Sequence, residues 1–152
     1  MTRQGDVALL DDPVAKELLT WTIPARLAYT WTDGTARVVP IYFRWTGKEL
    51  VMGTPPKAPK LRALTTHPRV ALTIDSNAMP SKVLLIRGRA NVEMKDDVDE
   101  DYASACERYM GEDAGRAWVS GLRGQRMARI SVQPDWVAIL DFETRFPSAL
   151  SS

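Results

Sequence analysis

The apolar positions along this chain change period several times, and those changes divide it into elements. A carboxylate and proline at Asp11-Asp12-Pro13 start a short helix over about Val14 to Leu19, and Pro24 stops it. Ala25 to Thr30 has strand composition. Thr32-Asp33-Gly34-Thr35 is a tight-turn signal, and Ala36 to Trp45 reads as the return strand. A second turn at Thr46-Gly47-Lys48 leads into a third strand, Glu49 to Gly53. Leu61 and Leu64 then share one face of a short helix over Lys60 to Thr66, ended by His67-Pro68.

Alternation returns in Arg69 to Asp75, the fourth strand, followed by a loop over Ser76 to Ser81. Lys82 to Met94 is a long fifth strand, with a bulge or bend expected at Gly88. Tyr102, Cys106 and Tyr109 line one face of a helix placed over Asp96 to Tyr109, with acidic residues at its positive end. Asp113 to Val119 adds a helical turn or two. Gln125 to Phe142 is the last strand, interrupted at Pro134-Asp135. The pattern predicts a mainly β domain spanning residues 1–152: six antiparallel strands in a small barrel with flanking helices. Loose ends are expected near Met1 to Gly5 and Thr144 to Ser152.

Composition narrows the function classes. The 152 residues are 45% hydrophobic and 26% charged, with 20 basic and 19 acidic side chains for a net charge of +1. That balance argues against a nucleic-acid binder, which carries a strong basic excess. No apolar run has the length of a membrane span, and the N-terminus lacks a signal-type apolar core, so no membrane role and a cytoplasmic location are expected. The lone Cys106 cannot form an internal disulfide, and with the lone His67 it cannot build a Cys/His zinc site. Cys106 sits on an apolar helix face, as an inert buried thiol does. No paired carboxylates, triad, phosphate loop or GxGxxG pattern occurs, so any catalysis would depend on a cofactor.

One stretch does concentrate chemistry. The strand Pro40-Ile41-Tyr42-Phe43 is followed by Met52-Gly53-Thr54, and then by Lys57 and Lys60 at a helix start. A flat apolar surface beside hydroxyl, ammonium and free backbone N–H groups suits a ligand with both a ring and a phosphate. The alternative is a solvated basic loop, with alternate strand residues packing a core, and Phe43 fits the core role best. Five tryptophans are many for this length, and a structural role explains most of them.

The order and spacing of these pieces resemble the pyridoxamine 5′-phosphate oxidase-like family, the FMN-binding split barrels. The branch that uses the deazaflavin F420 is the most similar. The matching pieces are Trp31-Thr32-Asp33-Gly34, Pro40-Ile41-Tyr42-Phe43 and Met52-Gly53-Thr54 with Lys57 and Lys60-Leu61-Arg62-Ala63-Leu64. His67-Pro68-Arg69-Val70-Ala71-Leu72, Ile86-Arg87-Gly88-Arg89-Ala90 and Glu107-Arg108-Tyr109-Met110-Gly111 follow. The resemblance implies a six-stranded split barrel forming a homodimer with two cofactor grooves at the interface. It implies that Pro40 through Phe43 border the ring, that Thr54, Lys57 and Lys60 hold the phosphate beside Met52, Gly53 and Leu61, and that Met79 and Pro80 come from the second subunit. Its cofactor would be F420, or else FMN, and the activity hydride transfer to or from a small organic substrate. Arg37, Arg44 and Arg62 would suit the longer anionic tail of F420. The family pattern has tryptophan at Tyr42 and asparagine at Ala63, so this chain departs from it twice. A non-catalytic flavin or haem store on the same fold is the alternative, with His67 the lone candidate for an axial ligand.

Overall fold

The computed structural model describes residues 2–146. A 3-10 turn, Val7–Asp11, precedes helix α1, Pro13–Thr20, whose first amides are capped by the Asp12 carboxylate accepting from Val14 N–H at 2.9 Å. The strands are β1 (Ala25–Thr30), β2 (Ala36–Ile41), β3 (Arg44–Trp45), β4 (Leu50–Thr54), β5 (Arg69–Asp75), β6 (Lys82–Lys95) and β7 (Met127–Asp141). Helix α2 (Pro59–Thr66) links β4 to β5, and a hairpin of α3 (Glu100–Met110) and α4 (Glu112–Leu122) links β6 to β7.

All seven strands form one antiparallel sheet in the order β2-β1-β5-β6-β7-β4-β3. The two edge strands are consecutive in the chain, separated only by Tyr42 and Phe43. The sheet therefore curls until its ends meet, and the chain crosses from one edge to the other at that seam. This is the barrel expected from the sequence. The return strand predicted as continuous from Ala36 to Trp45 is split in two, giving seven strands rather than six. The reason is that residues on either side of the seam pair with different partners: Ala25 faces Ile41, while Arg44 faces Val51.

The interior is filled by residues of every strand except β2 and β3. Leu27, Leu50, Met52, Leu72, Leu84, Ile86 and Ile130 are buried there with Phe43 from the seam. Gly88 meets the expected irregularity: the ladder slips between Arg87 and Gly88, where β7 carries Asp135 as an extra residue. A β-carbon at Gly88 would lie against the Gln133 carbonyl oxygen, so only glycine lets the two backbones approach this closely.

Three sequence expectations change. The helix predicted from Asp96 begins instead at Glu100, because Asp99 is its cap and accepts from the N–H groups of Asp101 and Tyr102. Asp97 serves the preceding turn, accepting from the Val98 and Gly124 amides. The second helix is a full 11 residues, longer than a turn or two. The expected loose N-terminus is docked: Gln4 exchanges two hydrogen bonds with Ile139, and Gly5 N–H donates to Val137. At the other end Arg145 binds Asp12 at 2.8 Å, and residues 147–152 lie outside the described residues.

Asp99 also receives Arg129 Nη1 on both carboxylate oxygens at 2.8 Å, which ties the hairpin to β7. Its side chain is only 7% exposed, so removing it uncaps a helix and leaves the Arg129 guanidinium to Asp101, 2.7 Å away. Asp99→Ala should lower unfolding free energy by about 1–3 kcal/mol in denaturant melts. Asp113→Ala, in the first turn of α4, should change it far less.

Candidate functional site

The seam that closes the barrel also creates a groove. Pro40, Ile41 and Tyr42 leave the sheet at the end of β2 and, with Pro24, Gly53 and Tyr102, line an open cavity of about 320 Å³. Tyr42 is 43% exposed, while its neighbour Phe43 is fully buried, as the two-residue period of extended chain requires. The Tyr42 ring lies flat on Tyr109 of α3, with centroids 4.1 Å apart and planes 8° from parallel. Tyr109 is fixed in turn: its hydroxyl donates to the Ile23 carbonyl at 2.9 Å and accepts from Arg108 at 3.0 Å. Burial pushes the Tyr109 phenol pKa up, partly offset by the adjacent Arg108 cation. The groove thus carries a braced aromatic surface facing solvent.

Arg108 holds the seam itself. Its Nη2 donates to the Phe43 carbonyl at 2.7 Å, and its guanidinium lies over both the Phe43 and Tyr109 rings, 5.0 and 4.6 Å from their centroids. A carbonyl between two edge strands has no ladder partner, and this cation supplies one.

Gly53 forms the floor. A β-carbon there would sit 2.5 Å from the Tyr102 ring and 2.9 Å from Met127 Cε, so α3 packs its tyrosine directly on the β4 backbone. Beyond Gly53 the chain continues through Thr54, which is 5% exposed, and the Pro55-Pro56 turn to Lys57 and α2. Ala58 caps α2 without a side-chain hydrogen bond; Pro59 has no amide hydrogen and Leu61 N–H donates to the Ala58 carbonyl at 3.1 Å, so the Lys60 amide is the open donor of the first turn. Lys57 is exposed and Lys60 half-buried. Desolvation alone lowers the Lys60 pKa below its ordinary 10.5, with no carboxylate to raise it.

The structure therefore brings Pro40, Ile41, Tyr42 and Gly53 together on one groove, with Thr54, Lys57 and Lys60 following along the chain. Phe43, Met52 and Leu61 lie behind it in the core, where they support the strand and helix and do not line the groove. Met79, 84% exposed, and Pro80 occupy the β5–β6 turn and are not among the groove's lining residues. Arg44 is engaged by Asp101 at 3.5 Å, and Arg37 bonds Thr35 and lies 5.8 Å from the Trp31 ring centroid. Ala63 is fully buried on the core face of α2. Sequence reasoning missed Pro24 and Tyr102 as groove lining, and Tyr109 and Arg108 as the residues that brace it. The Tyr102/Tyr109 spacing announced a buried helix face, yet nothing in it told which strand that face meets.

The sequence matches the pyridoxamine 5′-phosphate oxidase family over residues 12–140. The chain belongs to that family. No curated protein matches it. Among solved structures, an F420 reductase is 24% identical, with 81% of this chain and 94% of that one covered and a TM-score of 0.65. Rv2991 of Mycobacterium tuberculosis is 17% identical, covering 100% and 94%, with a TM-score of 0.70. HutZ, the haem storage protein of Vibrio cholerae, is 20% identical, covering 86% and 93%, with a TM-score of 0.62. At these identities the likenesses establish the split-barrel fold. Among the described residues no helix is long and apolar enough to cross a membrane.

Two outcomes follow from this geometry. Gly53→Ala should cost about 1–3 kcal/mol by forcing Tyr102 off β4, and the cost should shrink when Tyr102→Ala is also present, measured by a double-mutant cycle of thermal melts. Lys60 gives up its proton at lower pH in the folded chain than in the unfolded one. Across the window from that lowered value up to 10.5 the unfolded chain holds more protons, so stability should rise with pH there. Lys60→Met should abolish that rise in an alkaline denaturation series, without lowering stability at neutral pH.

Proposed function

We propose that the chain is an oxidoreductase that binds the deazaflavin F420, or else FMN, at a homodimer interface and serves hydride transfer to or from a small organic substrate in the cytoplasm. The observation that carries this reading is the braced Tyr42 surface over Gly53, followed seven residues along the chain by a half-buried lysine that has no carboxylate partner among the described residues. Burying an ammonium without a partner is costly, and a bound anion removes that cost. The donor set fits a ring with a phosphorylated chain: aromatic and proline surfaces for the ring, Thr54, Lys57, Lys60 and the Lys60 amide for the phosphate.

In this reading the flavin or deazaflavin supplies the hydride chemistry when bound. Tyr42, Pro40 and Ile41 cover one ring face and exclude water from it. Lys57 and Lys60 neutralise the phosphate, and Arg108 keeps Tyr109, and through it Tyr42, at a fixed height. The open side of the groove suits a second copy, which would bring its Met79-Pro80 turn to the ring. The exposed apolar Val38 and Tyr42 on the β2 side support that placement. The likeness to an F420 reductase supports F420 over FMN.

A store that binds a flavin or haem without turnover is the second reading. The likeness to HutZ motivates it, and the partly buried His67 at the end of α2 is the available ligand for haem iron. A Soret band on haem addition that disappears in His67→Ala would favour it.

Fluorescence titration with F420 and FMN tests the main reading. Binding of either should weaken by more than about 100-fold in Lys57→Ala/Lys60→Ala, since two charge-assisted contacts contribute about 3 kcal/mol or more. Unchanged affinity in the folded double variant would remove the phosphate assignment.

A further inference from the structure

Tyr102 separates the groove from a second cavity on its other side. This one, about 220 Å³, lies between the α3–α4 hairpin and the start of β7. Its walls are mainly apolar, from Tyr102, Trp118, Leu122 and Met127 on one side and the Gly53–Pro56 end of β4 on the other, with Gln125 and Arg126 also lining it. It sits on a small apolar cluster of Val98, Cys106, Val119 and Met127, separate from the barrel core.

Three observations say what it would hold. First, Trp118 is 52% exposed yet not free, because its indole N–H donates to the Tyr102 hydroxyl at 3.0 Å. The bond links the two aromatic side chains that wall the cavity, so little rotamer freedom remains to be lost on stacking. Secondly, an apolar cavity of about 150 Å³ holds one benzene ring, so this larger one has room for two fused rings. Thirdly, the one carboxylate paired with Arg126 among the described residues is Asp96 at 3.5 Å, with side chains 61% and 98% exposed. A pair that open to water contributes little, and its guanidinium can turn to a better-placed anion.

We infer that this cavity binds a flat bicyclic aromatic acid, its rings against Trp118 and Tyr102 and its carboxylate on Arg126. The cavity shares Gly53, Thr54 and Tyr102 with the site of the cofactor reading, but Trp118 and Arg126, which the acid would engage, have no part in that reading.

The test uses the full chain without cofactor, with naphthoate and the neutral naphthalenemethanol as probes. Calorimetry measures affinity, and the nitrogen-labelled indole resonance of Trp118 reports location. Naphthoate should bind and shift that resonance saturably. Trp118→Ala should weaken both probes by at least about tenfold, the size of one aromatic contact. Arg126→Gln should weaken naphthoate several-fold and leave naphthalenemethanol unchanged. F420 affinity should be unaffected by Arg126→Gln. The inference is overturned by a Trp118 resonance that stays fixed at millimolar naphthoate, by equal naphthoate affinity in Trp118→Ala, or by equal losses of both probes in Arg126→Gln. Loss of F420 binding in Arg126→Gln would also overturn it, by showing one site instead of two.

Discussion

Closing a sheet whose two edge strands are neighbours in the chain creates a problem at the crossing point. The backbone there must leave one ladder and join the other, and its polar groups lose their strand partners on the way. Here Phe43 buries its ring in the barrel while its carbonyl takes a hydrogen bond from Arg108, whose guanidinium also covers the Phe43 and Tyr109 rings. One side chain thereby satisfies the orphaned carbonyl and fastens α3 over the seam. The groove depends on this arrangement, because Tyr42 can face outward only if Phe43 is held inward.

The same helix carries the two tyrosines that define both cavities. Tyr109 supports Tyr42 from below, and Tyr102 stands on Gly53 with Trp118 bonded to its hydroxyl. The position of α3 along the barrel is set at its start by Asp99, which caps the helix and binds Arg129 of β7. Shape in the groove is therefore set in part by an ion pair behind it: Arg129 lies opposite Gly53 in the ladder, and Asp99 accepts from the Tyr102 amide.

Much of this was legible in the sequence. Alternating residues, Asp-Gly and Gly-Lys turns and paired prolines located the strands, and Gly88 marked its own bulge. The strand pattern supplied the barrel, and the resemblance its split-barrel type. What stayed hidden was long-range. Local periodicity cannot show that Ala25 pairs with Ile41 while Arg44 pairs with Val51, so the split in the return strand was invisible. The acidic run before α3 read as helix because nothing local distinguishes a capping aspartate from a first-turn one when four lie within six residues. Phe43 and Tyr42 were separable by period alone, whereas Tyr102 and Arg108 acquired their places from which strand the hairpin covers.

The seam also has a consequence for assembly. Both ends of the sheet are poor templates for a further strand. β3 is only two residues long, and β2 contains Pro40, which has no amide hydrogen to donate. Any partner is thus steered away from extending the sheet edge to edge and toward the outer faces, where the groove opens.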